Sequence, residues 1–295
     1  MRGPDDRPGP PVNVRSERMP VNLASIPYLG SGLGYREELA DGIAAARDEI
    51  DFVEVLADKY ISQPRLLDEL REIRDLYPVI PHGVGLSIGT VGPVPPDYLA
   101  GMRRVSDVSG APYYSDHLCM TKVPGIDLHH LAPLWRTEEV LESIIGKVDT
   151  IQQTLGKPLV LETISYLVDF DSPISEPDFF HRLTERTGCG ILLDLTNVYS
   201  NSVNHLFDPL EYLQRLPLDH VVQVHLAGGF WAHGVLIDGH SHPVPEEVWE
   251  LLAELCRRID LKASILEQDA NLDSLRPLLE QVWRARSIMR NPVVA

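Results

Sequence analysis

The sequence predicts a single-domain α/β protein folded as a (β/α)8 TIM barrel, and three observations predict it. Eight short strand-like segments recur at about the spacing of one strand-plus-helix unit. Amphipathic helical patterns lie between them. A chain of 295 residues holds one barrel of typical size with a short extension.

In chain order the strand segments are 29–34 (LGSGLG), 51–56 (DFVEVL), 78–82, 111–116, 157–162, 189–194, 220–225 and 262–267. PLVLE and GILLD are nearly continuous apolar runs, as strands buried on both faces of a parallel sheet require. Between the strands, 65–77 places Leu66, Leu67, Leu70, Ile73 and Leu76 on one helical stripe. The segment 137–156 does the same with Val140, Leu141, Ile144, Val148, Ile151 and Leu155; Thr137 starts that helix and Gly156 stops it. In 175–190, Ser175 is the cap, Pro177 occupies the first turn and Gly188 marks the end. A doubly wound sheet would need a phosphate loop, and GSGLGY lacks the GxGxxG spacing.

Composition narrows the classes. A hydrophobic content of 44% supports a sizeable core, and no apolar run approaches the roughly 18 residues of a membrane span. Residues 1–22 are expected to be a disordered tail, since the first twenty are rich in proline and contain no apolar stretch. Residues 23–290 are expected to form the barrel domain. Three cysteines, Cys119, Cys189 and Cys256, fit a reducing compartment and a cytoplasmic protein rather than a disulfide framework. A formal charge of −17 argues against a nucleic-acid partner, because a phosphate backbone attracts basic surfaces.

Six strand-like runs end on a metal-type donor: His82, His117, Glu162, Asp194, His225 and Glu267. Asp238 and His240 follow in the loop after the strand that carries His225. In a (β/α)8 barrel the C-terminal strand ends share one face, so donors distant in sequence would converge there. A carboxylate closing a buried strand must meet a cation or give up its charge. These eight residues therefore predict a site for two or more metal ions, and residues 23–290 a metal-dependent catalytic domain. Glu162, His225, Asp238 and His240 are expected to carry catalysis. Asn197, Glu54, Ser87, Asn204, His205 and Asp269 are candidates to support the donors or touch substrate, with Asn204 and His205 in the loop after the sixth strand. Asp116 is a further candidate to support them. His129, His130, His181, His220, His233 and His242 read as loop or helix-surface residues, and Cys119 as a small buried hydrophobe.

At these same residues the sequence resembles the DUF692 proteins, the multinuclear non-haem iron-dependent oxidative enzymes, over about residues 30 to 285. The resemblance rests on HGVGLSIG (82–89), SDHL (115–118), LET-S-YL (161–167), LLDLTNVY (192–199), NHLFDP (204–209), HLAGG (225–229), LIDGH (236–240) and ExD (267–269). It implies a TIM-like barrel related to xylose isomerase, with two or three irons in Fe(II) and Fe(III) states held by the eight donors. It also implies O2 as co-substrate, a cysteine of a ribosomally made precursor peptide as target, and a small partner protein that presents the peptide. The chain departs from the family pattern at Thr163-Ile164, at Thr196, at the end of HLAGG and at LHHL (128–131). Rival readings of the same donors are a divalent-metal sugar isomerase or epimerase, a three-zinc phosphodiesterase of the endonuclease IV type, and a metal-storing or peptide-binding module. No membrane partner is expected.

Overall fold

The computed structural model describes residues 21–292. Eight parallel strands close into a barrel: β1 Gly30–Gly34, β2 Val53–Leu56, β3 Val79–Gly83, β4 Tyr114–His117, β5 Leu159–Glu162, β6 Gly190–Asp194, β7 Val221–Leu226 and β8 Ala263–Leu266. Each pairs with the next in chain order, and β8 pairs with β1 through Gly30↔Ala263 to Leu33↔Leu266. Residues 1–20 of the expected tail lie outside the described residues. Of its end, Asn22 caps the short turn Leu23–Ser25, its side chain accepting from the Ala24 N–H.

Alternation along the strands builds two layers inside the barrel. Phe52, Ile80, Tyr113, Val160, Leu192, Val222 and Ile265 form an apolar plug, separate from the larger core that the outward residues share with the helices. Two positions beyond the plug residue stand Glu54, His82, Glu162, Asp194 and Glu267, and four positions beyond Tyr113 stands His117. The polar layer is thus fixed by strand geometry above a packed floor. In β7 simple alternation would put Val222 and His225 on opposite faces. The β6–β7 ladder shifts there, pairing Ile191 with Val221 but Leu192 with Gln223. Val222 is the extra residue, so it joins the plug while Gln223 and His225 also face inward.

The predicted helix limits hold closely. The helix Glu138–Leu155 is capped by Thr137, whose side chain accepts from the Val140 N–H, and it ends at Gly156 with φ 67°. Such a cap contributes about 1 kcal/mol. Leu141, Ile144, Val148 and Ile151 are fully buried, each contributing roughly 1.5–3 kcal/mol relative to exposure. Ser175, Pro177 and Gly188 take their predicted places around the helix Glu176–Thr187. The helix expected over 65–77 runs Leu67–Leu76, after a 3-10 turn at Pro64–Leu66, and Leu76 faces solvent.

Two β-hairpins and a helix correct the sequence reading. Met120–Val123 pairs with Ile126–Ala132, so His129 and His130 sit on an exposed strand rather than a loop or helix surface. Phe230–Ala232 pairs with Val235–Ile237 ahead of Asp238. Asn204 and His205 close the helix Leu195–His205 instead of lying in a loop, because Asp194 caps that helix directly from the strand end.

The glycine pair in HLAGG lets the following loop fold back onto β7. A Cβ on Gly228 would lie 2.1 Å from the carbonyl oxygen of His242, and one on Gly229 2.2 Å from that of Ile237. Ser241 and His242 donate their N–H groups to the Gly228 carbonyl at 3.0 and 3.2 Å. This contact carries Asp238 and His240 back over the barrel mouth. Gly228→Ala is expected to destabilise the protein by about 2 kcal/mol, because backbone cannot rotate away as a side chain can. Urea unfolding measures it.

Candidate metal centre

The strand ends bring the predicted donors into contact. His82 Nε2 and His117 Nε2 lie 3.2 and 3.3 Å from Glu162 Oε2. Glu162 Oε1 lies 3.3 Å from His225 Nδ1, which is 3.1 Å from Glu267 Oε2. His240 Nδ1 is 3.6 Å from the same Glu267 oxygen, and His240 Nε2 is 3.0 Å from Asp238 Oδ1. Donor atoms within 4.8 Å of one another form the groups His82, His117, Glu162 and Glu162, Asp194, His225, Glu267, with a further grouping of Glu54, His82 and His225. Glu162 belongs to two groups and Glu267 links the second to His240, so the arrangement is a chain of overlapping donor sets.

His82, His117 and His225 are each held by one nitrogen and turn the other to Glu162, whereas both nitrogens of His240 face carboxylates. His82 Nδ1 meets Ser115 Oγ at 3.0 Å, and His117 Nδ1 meets the Gly83 carbonyl at 3.1 Å. His225 Nε2 lies 2.9 Å from Glu54 Oε1, and His240 Nδ1 lies 3.2 Å from Asp269 Oδ2. His240 occupies a left-handed conformation, φ 44°, stabilised by the Asp269 N–H donating to its carbonyl at 2.7 Å.

Electrostatics follow from this crowding. Burial raises the Glu162 carboxyl, but the imidazoles of His117, His225 and His82 outweigh it and bring it to about 2. Burial also opposes ionisation of Glu267, and His225 and His240 hold it well below the carboxylate range. Burial lowers His225, yet Glu267, Glu54 and Glu162 drive it well up; His240 is driven to about 12 by Glu267, Asp238 and Asp269 against the same burial. Burial and the charges of Asp238 and Glu162 push Asp194 well above its ordinary value. Among the described residues, buried side-chain atoms without a hydrogen-bond partner include Glu162 Oε2, Asp194 Oδ2, His225 Nδ1, Asp238 Oδ1 and His240 Nε2. Orphaned polar atoms converging in one place are costly unless a cation satisfies them. Imidazole and carboxylate donors together fit iron, manganese or zinc, and shared carboxylates suit adjacent ions.

The supporting candidates divide. Glu54 and Asp269 face the donors. Asn197 donates its N–H to Asp194 Oδ1 at 2.8 Å and its amide to the Thr163 carbonyl at 3.2 Å, so it orients Asp194. Asp116 is fully buried, accepts from the His117 N–H at 2.8 Å and is pushed up by burial and by Asp58. Ser87, Asn204 and His205 stand apart from the cluster. Ser87 Oγ accepts from the N–H groups of Thr121 and Lys122 and anchors the first hairpin. Asn204 bonds both the N–H and the carbonyl of Leu236 in the second hairpin. His205 Nε2 meets the Tyr166 carbonyl at 2.8 Å. Cys119 packs with Ile164 and Tyr166, and burial pushes its thiol up.

The sequence reading missed Ser115, Gln223, Tyr113 and Arg36. The first three share strand faces with His117 and His225 at a spacing of two, a signal that could have found them. Arg36 donates through Nε to Asp269 Oδ1 at 2.9 Å, behind His240, and nothing in the sequence announces it. A cavity of about 580 Å³ opens over His82, His117, His240 and Glu267, walled by Tyr35, Arg36, Leu56, Lys59, Tyr60 and Leu131. Among the described residues, no helix is long and apolar enough to cross a membrane.

Residues 30–290 match the family described as RiPP precursor modification enzyme MbnB/TglH/ChrH. A UPF0276 protein of Rhizorhabdus wittichii is 37% identical over 264 residues, covering 87% of this chain and 94% of that protein. Endonuclease IV from Thermus thermophilus superposes with a TM-score of 0.57 at 16% identity, covering 88% of this chain and 98% of that one. L-ribulose 3-epimerase gives 0.51 at 14% identity, with 90% and 92% covered. At those identities the two structures share the barrel alone.

Proposed function

The chain belongs to the MbnB/TglH/ChrH family of RiPP precursor modification enzymes, and from that premise we propose that it is a cytoplasmic multinuclear non-haem iron oxidase. It uses O2 to modify a residue, cysteine, of a ribosomally made peptide. The observation that carries this reading is the run of overlapping donor sets through Glu162 and Glu267, with their unpartnered atoms facing one another. His82, His117 and Glu162 would hold one ion, Glu162, Asp194, His225 and Glu267 a second, and Asp238 and His240, with Glu267, a third. Bound iron supplies one-electron chemistry with O2 and a Lewis-acidic position for a thiolate.

The chain's own residues do the rest. The plug beneath the donors excludes water from below. The supporting bonds from Ser115, Gly83, Glu54 and Asp269 fix each ring so that little reorganisation remains when substrate arrives. The cavity above His82 and His117 has room for a peptide side chain and its neighbours. A small partner protein would deliver the peptide there.

The test is anaerobic purification with iron analysis, followed by O2 uptake with a cysteine-containing precursor peptide and its partner protein. Two or three irons per chain, and O2 consumption that requires the peptide, are expected. A chain that binds no iron, or one that interconverts sugars without O2, overturns the reading.

A further inference from the structure

Beneath the donor layer, the barrel holds a second polar chain that points at one imidazole only. Tyr113 donates its hydroxyl to Gln223 Oε1, and Gln223 Nε2 donates to Glu54 Oε2 at 2.5 Å. Glu54 Oε1 then lies 2.9 Å from His225 Nε2. Tyr113, Gln223 and His225 are wholly buried, and Glu54 is 3% exposed. Glu54 comes from β2, Gln223 and His225 from β7, and Tyr113 immediately precedes β4, so the contact spans the barrel interior.

In the metal-free chain both ring nitrogens of His225 face carboxylates. When a cation displaces one proton, Glu54 Oε1 at 2.9 Å keeps the other on Nε2, which Gln223 Nε2 also approaches at 2.9 Å, and Nδ1 is the nitrogen left to donate. Nδ1 is the nitrogen that faces Glu162 and Glu267 and has no hydrogen-bond partner. Glu54 is itself held from behind by Gln223, and both its oxygens are engaged. We propose that Glu54, braced by Gln223 and Tyr113, is a positioning residue that fixes His225 as an Nδ1 donor to the cation shared with Glu162, Asp194 and Glu267. It is not a ligand of its own. The inference rests on the metal-centre reading above and extends it to the residues behind one donor. Carboxylates in this position raise ligand basicity, and their loss typically weakens metal binding about 10- to 100-fold.

The experiment titrates Fe(II) anaerobically into the full-length metal-free chain and its Glu54→Ala and Glu54→Gln variants. It reads iron per chain at saturation, affinity by chelator competition, and the Mössbauer spectrum. Glu54→Ala is expected to reach the wild-type iron count with one ion bound about 10- to 100-fold more weakly and one iron signal altered. Glu54→Gln keeps an acceptor facing the ring and should fall between that variant and wild type. The inference is overturned if Glu54→Ala titrates as wild type, or if either variant lacks an iron at saturation, which would make Glu54 a ligand. Should Glu54→Ala fail to fold, Glu54→Gln decides alone: a full count with weakened affinity supports the role, and wild-type affinity refutes it. A wild-type chain that binds no iron sinks the parent reading, and this inference with it.

Discussion

Glu162→Ala is expected to abolish turnover, by roughly a thousandfold or more, and to empty at least two ion positions rather than one. Its Oε2 faces His82 and His117 while its Oε1 faces His225, so no other side chain in the cluster touches three imidazoles. Without it those rings meet a methyl group, and nothing bridges the first donor set to the second. Glu162→Gln sharpens the test because it keeps the shape but lacks the charge that would be shared between two cations. Iron analysis of both variants beside their circular dichroism separates a lost centre from a lost fold. A folded Glu162→Ala protein that retains full iron and activity would remove the basis for the proposed centre.

The fold neighbours leave chemistry open, as a barrel shared by an endonuclease and an epimerase must. Details of this chain do narrow it. A phosphodiesterase working on DNA needs cations free to meet phosphates. At this cavity Arg36 is bonded to Asp269, and Lys59 to Glu37 and Glu69. With a net charge of −17 on the whole chain, the mouth offers a poor electrostatic landing for a polyanion. Tyr35, Leu56 and Leu131 instead present apolar and aromatic surface beside the donors, which suits a peptide.

How much of this was legible in the sequence follows from strand periodicity. Phe52 and Glu54, Ile80 and His82, Val160 and Glu162, and Leu192 and Asp194 each repeat one plug residue followed by one polar residue two places on. That repetition made both the barrel and the donor layer readable. At β7 the period breaks, because the bulge at Val222 is set by pairing with β6, and pairing is not written locally. His225 was found as a strand-end histidine, but Gln223 beside it was not. The hairpins escaped for a different reason: their strands are short and solvated, so they lack the apolar alternation that marks a barrel strand. The role of Asn204 was left open between substrate contact and loop support, because its partners, the N–H and carbonyl of Leu236, become neighbours only when the second hairpin folds over the helix.

The metal-free protein is expected to lose stability as pH rises, and added iron to reverse that trend. His225 and His240 are held protonated in the fold by surrounding carboxylates, His240 to about 12, whereas an unfolded histidine releases its proton near 6.5. Below that value both states carry the proton and the pairing contributes in full. Above it the unfolded chain binds fewer protons than the folded one, so stability falls by about 1.4 kcal/mol per group for each pH unit. Asp194, raised by burial and by Asp238 and Glu162, acts in the same direction from the ordinary carboxylate range upward. Glu162 and Glu267, both lowered, act oppositely. Their contribution is present above the unfolded value near 4.3 and is lost as pH falls through their folded values. His117, lowered by burial, adds stability with rising pH only up to the unfolded value near 6.5. Above pH 7 the metal-free chain should therefore lose stability, its melting temperature dropping by roughly 5 °C per pH unit between 7 and 9. Cations need the imidazoles and carboxylates deprotonated, so their stabilisation grows as pH rises. Melting curves at four pH values, with chelator and with anaerobic Fe(II), measure both arms. A metal-free curve that is flat or rising from pH 7 to 9 would mean that the carboxylates do not hold protons on His225 and His240.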